Sequence, residues 1–133
     1  MISDYEDIAE YILKNYSNKV VEIGVGSLPQ VAVLLKDKLD VVVTDVNEQK
    51  HGEVKFSKDD IFAPDMAIYK NASLIYSIRP PIDLQEAMAK IAKEVGADLL
   101  IRPFGNEKAE LGRYFKNHIL VNYKKARFYL YRS

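Results

Sequence analysis

A short segment near the start of the chain reads Val20-Val21-Glu22-Ile23-Gly24-Val25-Gly26-Ser27-Leu28-Pro29. Its β-branched run ends at two closely spaced glycines, and Ser27 followed three residues later by Gln30 is a pattern that begins helices. Glycine lets the chain turn sharply and lets a ligand approach the backbone, while the start of a helix directs amide groups toward that ligand. The segment therefore predicts a strand, a glycine turn and a helix, with Glu22, Gly24 and Gly26 beside a bound small molecule.

The same alternation of strands and helices continues along the chain. Ser3-Asp4-Tyr5-Glu6 has the pattern of a capping box ahead of an amphipathic helix, and a second box, formed by Asp83 and Glu86, begins a helix that ends at Gly96. Strands are predicted at residues 19–23, 39–44, 53–56, 72–77 and 97–101, with a further helix near residues 106–115. Alternating apolar and polar residues at 118–123 and 126–132 predict an antiparallel hairpin.

These patterns together predict an α/β fold that forms one domain, residues 1–133. Alternating β and α segments are typical of a doubly wound, mostly parallel sheet, in which ligands bind at the carboxyl ends of the strands. Asp45 follows Gly24 by 21 residues and ends the second predicted strand, so it is expected at the same edge as the glycine turn. A helix cap for the segment that follows is the alternative role for Asp45.

Composition narrows the possible functions. The chain has 133 residues, of which 48% are hydrophobic and 29% charged, and these values are typical of one globular domain. It has no cysteine and only two histidines, which argues against a metal centre, an iron–sulfur cluster or thiol catalysis. Its opening residues are acidic and no apolar run approaches the ~20 residues of a membrane span. We expect a cytoplasmic protein that does not enter the membrane.

Charge is distributed unevenly along the chain. The formal net charge is zero, with 19 basic and 19 acidic residues, yet residues 1–98 carry a net charge of −6 and residues 99–133 carry +6, counted from the sequence. The basic residues of the predicted hairpin region lie among tyrosine and phenylalanine residues, a mixture suited to an RNA or other anionic partner. The residues assigned to this interaction are Lys116, Lys124, Lys125, Arg127 and Arg132. The alternative is a solvated charged face with the aromatic rings packed in the core.

The segment around Gly24, together with Asp45, resembles the class I S-adenosylmethionine-dependent methyltransferases, whose first motif is an acid-x-Gly-x-Gly loop after the first strand. The resemblance covers essentially the whole chain and implies a Rossmann-like sheet of order 3-2-1-4-5-7-6 with the C-terminal hairpin. The chain is also similar to a set of short archaeal proteins with this minimal fold, for which membership implies no assigned reaction.

The resemblance implies roles for individual residues. Glu22, Gly24 and Gly26 match the loop that holds the methionine part of the cofactor, and Asp45 matches the acid that binds the ribose hydroxyls. Asp60 resembles the acid that contacts the adenine amino group, with Asp59 as an equally possible register. The implied function is an S-adenosylmethionine-binding, minimal methyltransferase-like protein that transfers a methyl group to an anionic or RNA substrate.

Several residues depart from the family pattern. Leu28 stands near the place of the third glycine, and Arg79-Pro80-Pro81-Ile82 follows the fourth strand where base-methylating members have Asn/Asp-Pro-Pro-aromatic. These departures, with the short chain, leave open a non-catalytic module that binds a cofactor, a nucleotide or a partner. A dinucleotide-binding oxidoreductase is a third reading, disfavoured because Pro29 replaces the last glycine of that fingerprint.

Two Arg-Pro corners, Arg79-Pro80 and Arg102-Pro103, end the fourth and fifth predicted strands. Neighbouring strand ends open onto the ligand-binding edge, so both guanidinium groups are predicted to bind a phosphate or carboxylate of the substrate. The alternative is that each arginine pairs with an acid such as Asp83 or Glu107 and braces its loop.

Overall fold

The structure is a computed structural model that describes residues 4–26 and 29–133. In chain order, the elements of these residues are α1 Asp4–Asn15, β1 Lys19–Ile23, α2 Gln30–Leu35, β2 Asp40–Asp45, β3 Lys55–Lys58, α3 Met66–Tyr69, β4 Ala72–Ile78, α4 Ile82–Val95, β5 Asp98–Arg102, β6 Asn117–Tyr123 and β7 Ala126–Arg132. No helix in this part of the chain is both long and apolar enough to cross a membrane.

The strands form one seven-stranded sheet in the order β3-β2-β1-β4-β5-β7-β6. The first five strands pair in parallel, whereas β7 pairs antiparallel with both β5 and β6. The α/β class, the strand order and the C-terminal hairpin predicted from the sequence are therefore confirmed. The carboxyl ends of β1, β2 and β4 lie side by side at one edge, because parallel strands in register end together.

Apolar cores cover both faces of the sheet. Alternation along β1 places Val20 on the face covered by α1 and α2, and Val21 on the face covered by α3 and α4. Glu22 and Arg102 have the parity of the first face, so their side chains leave the sheet toward α1 and α2. Both charged side chains therefore have residues of α1 or α2 as neighbours.

The predicted helix near residues 106–115 does not form. These residues make turns, and the buried Gln85 side chain of α4 holds them by donating to the Glu107 carbonyl at 2.8 Å and accepting from the Ala109 amide at 2.8 Å. Leu111 and Phe115 are buried and four residues apart, which explains the helix-like pattern. Hydrogen bonds from the Gln85 side chain thus hold this segment in place of the backbone hydrogen bonds of a helix.

Helix beginnings also differ from the sequence prediction. The capping box at Asp83 is wrong, because the residue that precedes α4 is Pro81, two residues before the predicted cap, and the helix has no side-chain cap. Gly96 ends this helix in the left-handed conformation with φ +75°, as predicted. The short helix α3 was not predicted, although Asp65 caps it by accepting from the Ala67 amide. The predicted caps Ser3 and Ser27, and Leu28, lie outside the described residues, and α2 begins at Gln30.

Candidate functional site

The glycine turn after β1 is fixed by the two strands that flank it. Thr44 of β2 donates to the Glu22 carbonyl at 3.0 Å, and Ser77 of β4 donates to the Ile23 carbonyl at 2.8 Å. Gly24 and Gly26 both have positive φ values, +72° and +64°, which favour glycine at these positions. The backbone at the carboxyl end of β1 is therefore held rigidly and carries no side chain at the two turning points.

Asp45 connects this turn to the end of β2. Its Oδ2 accepts from the Gly26 amide at 2.9 Å, and its Oδ1 accepts from the Asn47 amide at 3.0 Å. A carboxylate has about four acceptor sites, so each oxygen keeps capacity for one further donor. Asp45 is therefore oriented by the protein and still able to bind a ligand hydroxyl.

A cavity of about 460 Å³ opens beside Gly24 and Asp45 at the ends of β1, β2 and β3. We call it the apolar cavity, because Ile23, Val46, Ile61, Phe62, Pro81 and Leu84 form most of its wall. Phe62 is 66% exposed and Val46 57% exposed at its rim. Large apolar side chains left in contact with water beside a concave site are typical of ligand-binding surfaces.

Two adjacent aspartates line the apolar cavity but differ in their hydrogen bonds. Asp59 is 9% exposed, accepts from the Asp65 amide at 2.9 Å, and also accepts from the Tyr69 hydroxyl. Asp60 is exposed, and only its Oδ1 is engaged, by the Phe62 amide at 2.9 Å. Asp59 therefore holds α3 against β3, and Asp60 has the carboxylate oxygen that a ligand can reach.

Glu22 lies in a second, smaller cavity on the opposite face of β1. This cavity of about 190 Å³ is also lined by Tyr5, Gln30, Val31 and Arg79. Glu22 is 3% exposed, and burial raises its pKa to about 8, an effect that the nearby Tyr76 hydroxyl partly offsets. Within the described residues, Glu22 Oε1 and the Tyr76 hydroxyl have no hydrogen-bond partner of normal geometry. We call this space the buried-acid cavity.

The four residues expected around one ligand are thus distributed over two adjoining spaces. Gly24 and Asp45 line the apolar cavity, Glu22 lines the buried-acid cavity, and Gly26 contributes its amide to Asp45. The cause is the parity of β1, which directs Glu22 away from the face of Ile23. The glycine turn separates the two cavities and is accessible from both.

His51 makes a contact with the glycine turn that the sequence did not indicate. Its Nε2 lies 2.9 Å from the Gly26 carbonyl, and its ring packs edge-on near Phe56 with centroids 6.3 Å apart. The loop between β2 and β3 thus folds over the glycine turn. No motif marks His51, since 25 residues separate it from Gly26 and the loop has no periodic pattern.

The two arginines of the Arg-Pro corners do not converge on one cavity. Arg79 has a φ of +56° and lines the buried-acid cavity. Its Cζ atom lies 5.8 Å from the centroid of the Phe104 ring. Arg102 donates from Nε to Asp4 Oδ2 at 2.7 Å and lines a separate cavity. Its acidic partner comes from α1, rather than being Asp83 or Glu107, because parity directs Arg102 toward that helix.

The basic hairpin does not present a continuous aromatic surface. Phe128 and Tyr131 are buried, with exposures of 0% and 1%, and so pack in the core as the alternative interpretation expected. Lys124 and the Tyr123 hydroxyl both bind Glu10, and these two contacts lower the pKa of Glu10 to about 2.

The remaining basic residues lie at the two ends of the hairpin. Lys125 and Arg127 lie at or beside the turn and line the same cavity as Arg102. Lys116 and Arg132 lie at the other end, where Arg132 pairs with Asn117.

One known protein family matches nearly the whole chain. The model of the uncharacterised protein family UPF0146 matches residues 5–133. A UPF0146 protein from Archaeoglobus fulgidus is 46% identical over 127 residues, which cover 94% of this chain and 92% of that protein.

Several of the solved structures with a similar architecture are named as methyltransferases, and one was solved with SAH bound. A putative O-methyltransferase from Nostoc punctiforme aligns with a TM-score of 0.69 and 10% identity over 97% of this chain and 55% of that chain. The N-terminal domain of EvdMO1, solved with SAH bound, aligns with a TM-score of 0.66 and 11% identity over 100% of this chain and 82% of that chain. This chain spans about half of the Nostoc protein. At these identities the likeness establishes the methyltransferase-like fold.

Proposed function

The chain belongs to the uncharacterised protein family UPF0146, and we propose that it binds S-adenosylmethionine in the apolar cavity as a minimal methyltransferase-like protein. One observation carries the proposal. A cavity of about 460 Å³ lies at the carboxyl ends of β1, β2 and β3, and two oriented carboxylates, Asp45 and Asp60, stand among apolar walls. Doubly wound sheets bind nucleotide-type ligands at this edge.

The residues present fit the parts of this cofactor. The open acceptor sites of Asp45 suit the two ribose hydroxyls, and the accessible oxygen of Asp60 suits the adenine amino group. Ile61, Phe62 and Leu84 supply apolar surface for the adenine ring. When bound, the sulfonium supplies an electrophilic methyl group.

Glu22 suits the ammonium of the methionine part if this part of the cofactor extends past the glycine turn from the apolar cavity into the buried-acid cavity. It is a buried carboxyl beside the glycine turn, and its Oε1 lacks a partner among the described residues. A cationic donor there would satisfy that oxygen and favour the ionised carboxylate. The backbone of Gly24 and Gly26 offers close approach without side-chain obstruction.

A non-catalytic cofactor-binding module is the second candidate, and the residues after β4 favour it. Arg79 follows β4 and lines the buried-acid cavity. Its guanidinium group has no hydrogen-bond acceptor, so it cannot act as a general base. Methyl transfer to a nucleophile that is already ionised needs no general base, only positioning of the two reacting atoms. Arg79 is therefore compatible with a negatively charged substrate that receives the methyl group. Both candidate functions involve binding of the same cofactor, and only the first includes methyl transfer.

Calorimetric titration with S-adenosylmethionine, S-adenosylhomocysteine and NAD, measured in parallel, tests the cofactor assignment. We expect both adenosyl compounds to bind more tightly than NAD, because the antiparallel β7 leaves the sheet of the described residues without a second parallel half for the other nucleotide. Preference for NAD, or no heat with any of the three, contradicts the proposal. Methyl transfer from the radiolabelled cofactor then distinguishes an enzyme from a binding module.

Replacing Asp45 with alanine is expected to weaken binding of S-adenosylhomocysteine by about 1–3 kcal/mol, the range for hydrogen bonds to charged groups. Asp40→Ala is the matched control, since Asp40 lies at the opposite end of β2 and pairs only with the exposed Lys55 among the described residues. Titration calorimetry of both variants measures the difference. Equal affinity of the two variants for the cofactor contradicts a ribose-binding role for Asp45.

A further inference from the structure

A third cavity, of about 270 Å³, lies between the end of β5 and the turn of the C-terminal hairpin. We call it the basic cavity, because Arg102, Lys125 and Arg127 all line it, together with Asp4 and Tyr129. The three cations come from different parts of the chain: the end of β5, the β6–β7 turn and β7. The fold therefore brings Arg102 close to two basic residues that lie more than 20 residues further along the chain.

The charges in the basic cavity are not balanced. Asp4 is committed to Arg102 through the 2.7 Å contact between its Oδ2 and Nε. Within residues 4–26 and 29–133, no acidic side chain lies within ion-pairing distance of the Lys125 or Arg127 side chains. Asp7 is nearby but accepts from the Lys125 backbone amide. The lining thus carries two cations in excess over its one acid.

Asp4 adds a second feature that suggests a ligand. Its side chain is 5% exposed, and its Oδ1 has no hydrogen-bond partner among the described residues. A buried carboxylate oxygen without a donor is costly, and a hydroxyl group of a bound molecule would satisfy it. The cavity therefore combines donors for an anion with one acceptor for a hydroxyl.

The basic cavity is a neighbour of the buried-acid cavity. Arg102 pairs with Ile78 across β5 and β4, and the Arg79 amide donates to the Arg102 carbonyl at 2.6 Å. The end of β1 lies two strands from Arg102, about 10 Å at the usual strand spacing. A small molecule held in the basic cavity can therefore extend to the buried-acid cavity beside Arg79.

We propose that the basic cavity binds the phosphate group of a small, hydroxyl-bearing phosphate ester. A phosphate presents oxygens in several directions and so suits cations that converge from three elements, whereas a planar carboxylate suits a single guanidinium fork. The phosphate site itself does not depend on the cofactor, but its assignment to the substrate of methyl transfer rests on the proposed function.

The geometry favours a small phosphate ester over RNA. The hairpin cations are divided between its two ends, Lys124 is neutralised by Glu10, and Phe128 and Tyr131 are buried. A long RNA strand needs a continuous basic track with accessible aromatic rings. The three cations that line the basic cavity are instead suited to binding a single phosphate group.

The test is titration calorimetry with ribose 5-phosphate, using ribose as the uncharged control and a single-stranded RNA oligonucleotide as the alternative ligand. The variant Lys125→Ala/Arg127→Ala removes two charges from the basic cavity. Lys116→Ala/Arg132→Ala removes two charges from the other end of the same hairpin and is the matched control. All four side chains are exposed.

We expect ribose 5-phosphate to bind and ribose not to bind. The cavity variant should lose about tenfold or more in affinity, the loss of at least one charge-assisted hydrogen bond, while the control variant changes little. Equal losses in the two variants, or RNA binding that depends on both ends equally, overturn the site in favour of a diffuse polyanion surface. Absence of any binding of ribose 5-phosphate also overturns it.

The S-adenosylhomocysteine titration separates this proposal from the proposed function. Retained S-adenosylhomocysteine binding in the cavity variant, with phosphate binding lost, supports two distinct sites. Phosphate binding that responds to the cavity variant in a protein that binds no adenosyl cofactor supports the phosphate site and refutes the cofactor assignment.

Discussion

At pH 7, the substitution Glu22→Gln is expected to increase the free energy of unfolding by about 3 kcal/mol. Burial raises the pKa of Glu22 from 4.5 to about 8, so the folded protein holds a proton at pH 7 that the unfolded chain has released. Each unit between the unfolded pKa and pH 7 corresponds to about 1.4 kcal/mol. Glutamine has the shape of the protonated acid and avoids this cost.

The sign of the pH dependence follows from the same shift. Between about pH 4.5 and pH 8 the unfolded state binds fewer protons than the native state, so the stability of the natural protein falls as pH rises through this window. Below it both states are protonated, and above it both are ionised. The advantage of Glu22→Gln should therefore be small at pH 4, grow steadily, and level off above pH 8.

Urea denaturation of both proteins across this pH range measures the effect. Glu94→Gln serves as the control, since Glu94 is exposed on α4 and its replacement removes the same charge. A stability difference for Glu22→Gln that does not change with pH would falsify the raised pKa. It would mean that Glu22 is ionised in the native protein and has a compensating partner.

The sheet was predictable because parallel strands leave strong local signals. Runs such as Val41-Val42-Val43 are apolar on both sides, as buried strands require, and each predicted strand lies within two residues of its observed bounds. The strand order required the resemblance to a known family. The sequence pattern alone specifies alternation of strands and helices and leaves the neighbours of each strand undetermined.

The failures in the fold have a common physical origin. Leu111 and Phe115 are spaced like residues of a helix face, but the segment is bracketed by Gln85 from α4. Asp83 and Glu86 match a capping box, although proline at position 81 sets the start of the helix. In both cases a tertiary contact or a fixed backbone angle outweighs local propensity.

The site was predictable as a location and less so as an arrangement. Gly24 and Asp45 reach the same cavity because strand ends in a parallel sheet are neighbours. The sequence does not distinguish Asp59 from Asp60, whereas the fold gives them different contacts, because the Tyr69 hydroxyl and the Asp65 amide both donate to Asp59. Glu22 and Gly24 line different cavities because alternate residues of a strand point to opposite faces of the sheet.

Replacing Arg102 with methionine is expected to destabilise the protein by about 3 kcal/mol or more. The Arg102 side chain is 17% exposed and that of Asp4 5% exposed, so their contact is largely withdrawn from water. Methionine retains much of the apolar stem of arginine but leaves Asp4 as a buried charge without its counter-ion. The cost of that uncompensated charge exceeds the net benefit of the original ion pair.

The double variant Asp4→Leu/Arg102→Met distinguishes this cause from lost packing. Removing both charges eliminates the unpaired carboxylate, including the Oδ1 that lacks a partner among the described residues, so stability should return to near that of the natural protein. Arg113→Met is the control, because its pair with Glu86 is exposed and such pairs contribute little. Urea denaturation of the natural protein, Asp4→Leu, Arg102→Met and the double variant gives the coupling between positions 4 and 102. If the double variant is as unstable as Arg102→Met, the arginine stabilises the end of β5 through its own packing and its bond to the Pro103 carbonyl, and Asp4 contributes no electrostatic coupling.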